Sequence, residues 1–298
     1  MSTPKISVIV NFHNGEKYID KCLNSIISQE YKNIEIILWD NFSNDNSFKK
    51  IQNYTDDRIK YIFSKKKVPL YKARNEALLN SNGELIAFLD CDDWWEVNYL
   101  SSRKDFFLNK DFDFSYSNVN FFFENNNKFK IYKKFKLPQG KIFDYLSKDY
   151  FLIISGIIFR RNIFDKFGLF HEYYNIIGDY DYLIKISKYC KAHSYDQPLL
   201  NYRVHENNFS KLNSKMFFEE YKNWFDFNSF EKKDTEFLNN IEYFKNKLSY
   251  LEISHLLLND KKNFILINKI LKHKSFIEKI KFIILFLSPK KFFKYLKK

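Results

Sequence analysis

Cysteine, glycine and proline are scarce: 3 Cys, 6 Gly and 5 Pro in 298 residues. Cys22, Cys91 and Cys190 stand far apart, odd in number and without a Cys-x-x-Cys pair. Neither a disulfide framework nor a thiolate zinc site is indicated, and a reducing, cytoplasmic setting fits. Few turn-formers imply few long linkers, so regular elements should fill the chain. No run of about 18 apolar residues exists, so no transmembrane helix is expected; the stretch Phe282 to Leu287 is far too short. The start, MSTPKISVIV, has no charged leader before a long apolar stretch, so no signal peptide is expected. Acidic charge is also short, with 36 Asp and Glu against 49 Lys and Arg, a net charge of +13. The segment Leu271 to Lys298 supplies +8 of that. A nucleic-acid reader would more often carry its charge on the folded body, so nucleic acid is not the expected partner.

What is present is apolar residues, 45% of the chain, enough for a full core. Lys5 to Val10 is a β-branched run, as in a strand buried on both faces. Tyr18, Ile19, Cys22, Leu23, Ile26 and Ile27 follow at helical spacing. Ile34 to Trp39 predicts a second buried strand, Asn44 to Tyr54 a helix and Ile59 to Phe63 a short strand. Leu70 to Asn80 predicts a helix stopped near Gly83, and Leu85 to Leu89 a fourth strand. This alternation is that of a parallel α/β sheet with right-handed crossovers. Polar residues stand just after the strands: Asn11 to Asn14, Asp40 and Asn41, and Asp90 to Asp93. In open α/β sheets that edge is the ligand crevice. Further on, Asp111 to Phe135 alternates aromatic and polar residues, as antiparallel or mixed strands do. A helix is expected from about Asp179 to Tyr189. Beyond about residue 210 the chain reads as helical and Lys-rich, giving a domain 1–210 and an extension 211–298.

The stretch LDCDDWW (residues 89–95) carries the sharpest signal. One Asp at a strand end caps a helix, and Asp93 is suited either to cap one beginning near Trp94 or to bind a metal through water. Three carboxylates in four positions repel one another unless a cation or donors compensate. Asp-x-Asp at a strand end suits a divalent metal that grips phosphate oxygens. Arg74, on a helix otherwise apolar at Leu70, Ala73, Ala77 and Leu78, needs an anion.

Four segments in order, VIVNFHNGEKYI, WDNFSNDNS, Ala73-Arg74-Asn75 and Leu89 to Asp93, resemble glycosyltransferase family 2, the inverting enzymes of bacterial glycan biosynthesis. The resemblance covers about the first 210 residues. It implies the GT-A (Rossmann-like) fold: a mostly parallel sheet flanked by helices, here with a C-terminal helical extension. Asn11 stands where Pro is usual and His13 where Tyr is usual. The implied donor is a nucleoside diphosphate sugar, with UDP favoured, held by Asn11, His13, Asp40, Arg74, Asp90 and Asp92. Asp40 would accept from a uracil-type N–H, and the His13 ring would stack on the base. The implied metal is Mn2+ or Mg2+, on Asp92 with Asp90 and with His205 of the segment Asn201 to Ser210. The implied base is Asp179, with Asp181 the alternative, although Gly178 stands where Glu is usual. Trp94 and Trp95 either wall the acceptor site or pack the core.

The implied acceptor is a hydroxyl of a glycan or lipid-linked intermediate. Ile277, Ile280, Phe282 to Leu287, Phe292, Phe293, Tyr295 and Leu296 among lysines read as a basic amphipathic surface, giving peripheral contact with the inner face of a membrane. Two rivals stay open. A nucleotidyltransferase would share a nucleotide pocket, but the loop after the first strand lacks its Gly-rich, Arg/Lys-bearing sequence. A non-catalytic relative would bind partners or glycans without turnover.

Overall fold

The computed structural model describes residues 3–230, 234–258, 264–273 and 275–287. The chain divides into two compact units, Met1–Asn208 and Phe209–Lys298.

The first unit opens with β1 (Ile6–Phe12), α1 (Ile19–Ile27), β2 (Ile34–Asp40), α2 (Ser47–Ile51), β3 (Ile59–Phe63), α3 (Leu70–Leu79) and β4 (Leu85–Phe88). It continues with β5 (Trp94–Trp95), α4 (Lys104–Leu108), β6 (Phe114–Phe123), β7 (Lys128–Ile131), α5 (Phe143–Lys148), β8 (Ile157–Arg160), α6 (Asn162–Phe167), α7 (Gly178–Ser187) and β9 (Ala192–Val204). The sheet order is β3-β2-β1-β4-β8-β6-β9-β5, with β7 paired to β6. Strands β3, β2, β1 and β4 are parallel, in the expected alternation. β8 runs antiparallel to β4 and β6, β6 parallel to β9, and β5 antiparallel to β9, so the far half is mixed.

The inner parallel strands β1, β2 and β4 are largely apolar on both faces because both are covered, whereas the edge strand β3 is only half-buried. Ile6, Val8, Val10 and Phe12 of β1 share one core with Ile19, Cys22, Leu23 and Ile26 of α1. Each such side chain contributes about 2 kcal/mol by leaving water. On the other face α3 packs on β1 and β2, and Phe88, Phe159, Phe164, Phe170 and Tyr182 form a nest of edge-on and stacked rings.

Three expectations are corrected. The helix after β2 covers only Ser47–Ile51: ahead of it Asp45 accepts from the Ser47 amide and hydroxyl and from the Glu16 amide, and the Asn46 amide donates to Glu16, so these residues serve the loop and not a helical turn. Trp94 begins no helix: Trp94 and Trp95 pair with Asn201 and Leu200 of β9. Gly83 is no helix cap. α3 ends at Leu79, and Gly83 lies against β1, where a Cβ would stand 2.5 Å from the Ser7 amide nitrogen.

The second unit is helical in its described residues: α8 (Phe209–Leu212), α9 (Ser214–Phe230), α10 (Thr235–Asn239), α11 (Ile241–Leu258), α12 (Phe264–Lys272) and α13 (Phe276–Leu287). Trp224 packs with Phe237 and Phe244. Ile253, Leu257, Leu266, Ile270 and Phe282 form a second cluster. No described helix is long and apolar enough to cross a membrane. Phe292, Phe293, Tyr295 and Leu296 lie outside the described residues.

Candidate active site

The loops after β1 and β2 are stitched together. The Asn14 amide donates to Ser43 Oγ (2.8 Å), and Asn14 Oδ1 accepts from the Asn44 amide (2.9 Å). Asp45 Oδ2 accepts from the Glu16 amide (2.9 Å), and Glu16 accepts from the Asn46 amide (3.1 Å). Asn14 and Phe42 both hold left-handed backbone, at φ 56° and 67°. For a ring as bulky as Phe42 that is a strained turn, of order 1 kcal/mol.

Asp40 ends β2, buried. Its Oδ1 accepts from the Ser43 amide (2.7 Å) and its Oδ2 from the Tyr61 hydroxyl (2.7 Å). Burial and Asp40 push the Tyr61 phenol up, so it stays a donor. Asp40, Ser43, Asp45, Phe48, Tyr61 and Phe63 line a pocket of about 310 Å³, large enough for a heterocyclic base. Phe48, Tyr61 and Phe63 carried no sequence signal for this role beyond their aromaticity. His13 lies beside this region, its Nδ1 3.1 Å from the Asn41 carbonyl oxygen, so Nδ1 carries the proton. Among the described residues the buried Asn11 side-chain amide has no partner, nor has Trp39 Nε1, its register neighbour on β2. Two buried donors without acceptors suit a polar ligand at this strand edge.

β4 ends at the aspartates. Asp90 Oδ1 receives the Arg74 guanidinium at 2.5 Å. Arg74 is only 2% exposed. Burial disfavours the cation, but Asp90, Tyr71 and Asp179 more than offset that and hold it protonated. Asp92 Oδ2 lies 2.9 Å from His205 Nε2. Asp93 points inward, where its Oδ1 accepts from the Arg203 amide (2.9 Å). Burial, then Asp92 and Asp90, push the Asp93 carboxyl well above the usual range. Arg203 Nε also donates to the Asp92 carbonyl (2.9 Å), and the guanidinium sits 4.8 Å from the centres of both the Tyr18 and Trp94 rings. Asn208 closes the last turn by bonding the His205 amide and the Arg203 carbonyl. Both tryptophans are buried, and Trp95 donates from Nε1 to the Ser155 carbonyl (2.7 Å).

No three metal-ligating side chains converge among the described residues. The donor set still fits a divalent cation. Asp92 and His205 offer an oxygen and a nitrogen 2.9 Å apart, beside an acidic cluster whose own repulsion calls for positive charge. Such a pair leaves further coordination positions to ligand oxygens.

Asp179 lies in the first turn of α7, a favourable end for a carboxylate. Tyr71 donates to its Oδ1 at 2.6 Å. Burial raises the Asp179 carboxyl above its ordinary value, against the pull of Arg74 and the Tyr71 hydroxyl. Asp181 shares that turn, its amide bonded to the Ile177 carbonyl (2.8 Å). α3 is the common scaffold. It carries Arg74 toward Asp90 and Tyr71 toward Asp179, while Asn75 exchanges two hydrogen bonds with the Phe170 backbone (2.8 and 3.0 Å). Asn175 Oδ1 accepts from the Leu70 amide at the start of α3 (3.2 Å). Arg74, Asp90, Tyr71 and Asp179 thus form one network, with Asp92 and His205 at the adjoining end of β4.

Residues 7–168 match the description "Glycosyl transferase family 2". The chain is similar to UDP-Glc:alpha-D-GlcNAc-diphosphoundecaprenol beta-1,3-glucosyltransferase WfgD of Escherichia coli, 31% identical over 55% of this chain and 63% of that protein. WfaP of Escherichia coli, described as the same activity, is 32% identical over 67% of this chain and 77% of its own length. Glycosyltransferase GlyA of Streptococcus pneumoniae is 35% identical over 48% of this chain and 21% of that protein. The chain thus spans less than two thirds of the length of WfgD and GlyA. In fold it is similar to S. aureus TarS, with a TM-score of 0.63 at 18% identity over 95% of this chain and 81% of that one. It is also similar to the mannosyltransferase PcManGT of Pyrobaculum calidifontis, with a TM-score of 0.66 at 13% identity over 99% and 84%. The architecture is GT-A-like, and the chain belongs to glycosyltransferase family 2.

Proposed function

We propose that this protein is a metal-dependent, inverting glycosyltransferase that moves a sugar from a UDP-sugar to a hydroxyl of a glycan or lipid-linked acceptor. The observation that carries the reading is the joint at Arg74. One guanidinium on α3 pairs with the donor-side Asp90 and bears on Asp179, whose carboxyl is raised toward the range of a working base. The base pocket at Asp40 offers acceptors and rings, and the Asp40 carboxylate suits an imide N–H. Asp92, Asp90 and His205 are the residues that would hold Mn2+ or Mg2+, which when bound supplies positive charge to the leaving diphosphate. Asp179 takes the acceptor hydroxyl proton. The acceptor oxygen then bonds to C1 as the C1–O bond to diphosphate breaks, the configuration inverts, and the nucleoside diphosphate leaves with the electron pair.

UDP and a polyprenyl-linked acceptor are favoured because the names of WfgD and WfaP specify UDP-Glc and a diphosphoundecaprenol. A membrane-side acceptor agrees with α13. Ile277, Ile280, Ile284 and Leu287 are exposed on one helical face, with Lys279 and Lys281 nearby. We place the enzyme at the cytoplasmic face of a membrane on that ground. Ile280→Asp should reduce co-sedimentation with anionic phosphatidylglycerol vesicles; unchanged sedimentation would remove α13 from the membrane surface.

The deciding experiment is thermal stabilisation by UDP, GDP and TDP, each with and without Mn2+, in wild type and Asp92→Ala. A metal-dependent shift with UDP, absent in the variant, is expected. A shift with GDP alone would move the donor to a GDP-sugar. No shift with any nucleotide would favour the non-catalytic reading.

A further inference from the structure

Tyr71 and Arg74 lie three residues apart on α3, so they share a face. Tyr71 is 2% exposed. Its hydroxyl stands 2.6 Å from Asp179 Oδ1 and 3.4 Å from the Ile176 carbonyl oxygen. A phenol has one proton, and the shorter, charge-assisted bond takes it. Burial and the Asp179 charge both keep that proton on the phenol.

The ring does a second thing. A Cβ built at Gly178 would lie 2.4 Å from the Tyr71 Cγ and Cδ2 and 2.7 Å from Cδ1. The ring has little room to retreat. Phe170 packs against it with centroids 5.5 Å apart, and the Arg74 guanidinium lies 4.8 Å from its centre. Phe170 is itself fixed through its backbone by Asn75. No side chain fits at 178 while Tyr71 stands where it does.

We propose that Tyr71 is a positioning residue for the transfer step: its hydroxyl fixes the Asp179 carboxylate, and its ring makes glycine obligatory at 178. With Oδ1 engaged by the phenol, Oδ2 is the oxygen turned to the acceptor hydroxyl. This rests on Asp179 being the base. Tyr71 touches no reacting atom and acts on the proton transfer through Asp179.

Tyr71→Phe keeps the ring and removes the hydroxyl. The readout is nucleoside diphosphate release from UDP-glucose or UDP-N-acetylglucosamine, whichever the wild-type protein turns over faster. Tyr71→Phe should lower kcat roughly ten- to a hundredfold with KM for the donor unchanged, because a misplaced base costs rate without costing donor binding. On an Asp179→Asn background the same change should cause no further loss. A purely structural tyrosine would instead lower the melting temperature and leave kcat per folded molecule intact. Full kcat in Tyr71→Phe with Asp179→Asn inactive overturns the positioning role and leaves the base in place. Full kcat in Asp179→Asn overturns both. Gly178→Ala should lower the melting temperature in wild type and lower it less in Tyr71→Ala; equal losses in the two backgrounds overturn the obligatory pairing.

Discussion

Two sides of the site are held in different ways. On the base-pocket side, the bonds joining the loops after β1 and β2 span 29 or 30 residues of sequence. On the α7 side, the bonds from α3 to the Phe170–Asp179 segment span 95 to 108. The first set closes within one β-α-β unit and forms as soon as two neighbouring parallel strands pair. The second forms only when most of the unit has assembled, because the loop closed is long and its entropy must be offset by other contacts. Arg74 belongs to neither set of bonds: it pairs with Asp90 at the end of β4 and bears on Asp179, so changes there should be felt at the diphosphate end of the donor site as well as on the α7 side, and changes elsewhere on one side.

The largest effect is therefore expected at Arg74. Arg74→Leu removes the cation between Asp90 and Asp179. Leaving a carboxylate unpaired costs about 3–5 kcal/mol at a fully buried pair. Asp90 keeps about a third of its side-chain surface in water, so a loss of about 2 kcal/mol is the expectation in urea unfolding. Both the metal-dependent UDP shift and turnover should disappear. Loss of one with the other intact would show that Arg74 does not couple the donor aspartates to the α7 side.

The next effect is one of pH, confined to the α7 side. Burial raises the Asp179 carboxyl. A base must be ionised, so turnover should fall as pH drops through that raised value, above the ordinary value of an aspartate. Stability runs the other way. A carboxyl whose folded pKa is raised is a destabilising charge at neutral pH, and that cost is relieved as pH falls through the folded pKa. Asp179→Asn should accordingly melt higher than wild type at pH 7 by a margin that shrinks on acidification, while turnover is lost. A variant that melts lower at every pH would show the charge to be better compensated than its burial implies.

On the other side Asp45 gives a smaller, local effect. Burial would raise its carboxyl, but bonds from the Ser47 hydroxyl and the Glu16 and Ser47 amides outweigh that and hold it low. Its stabilisation is present above the unfolded pKa and lost as pH falls through the lowered one. Asp45→Ala should cost about 1 kcal/mol and weaken the UDP shift without abolishing it. The tyrosine–aspartate geometry of α7 should be untouched, visible as an unaltered acid limb of the rate profile.

The same contrast governs what could be read from the sequence. The parallel half follows from apolar runs ending in polar residues, because each β-α-β unit is local and its period visible. Asp40, Asp90 and Asp92 were legible as carboxylates ending strands. The trio Phe48, Tyr61 and Phe63 was not, since aromatic residues are common throughout and nothing local says which ones face a pocket. The β5 pairing was missed because two residues carry no periodicity, and Trp94 and Trp95 are set by β9, over a hundred residues away. Gly178 stood as an unexplained departure until Tyr71 came into view, 107 residues earlier; an aromatic residue one turn before a buried Arg was the only available cue.

The smallest effect concerns one of the long-range ties. Lys72 and Glu172 join α3 to the segment before α7 at 2.8 Å, but both side chains are well exposed, at 36% and 48%. Such a pair gains little Coulomb energy in water, loses rotamer freedom and is screened by salt. Glu172→Gln should change stability by less than about 1 kcal/mol and leave kcat unaltered, although it severs a tie of the same reach as the Asn75–Phe170 bonds. Asn75→Ala, which leaves the buried Phe170 amide and carbonyl without partners, should cost about 1–3 kcal/mol. If Glu172→Gln cost as much, sequence span rather than burial would measure the worth of these ties, and the α7 side would owe its geometry to the number of its long-range contacts instead of the few that exclude water.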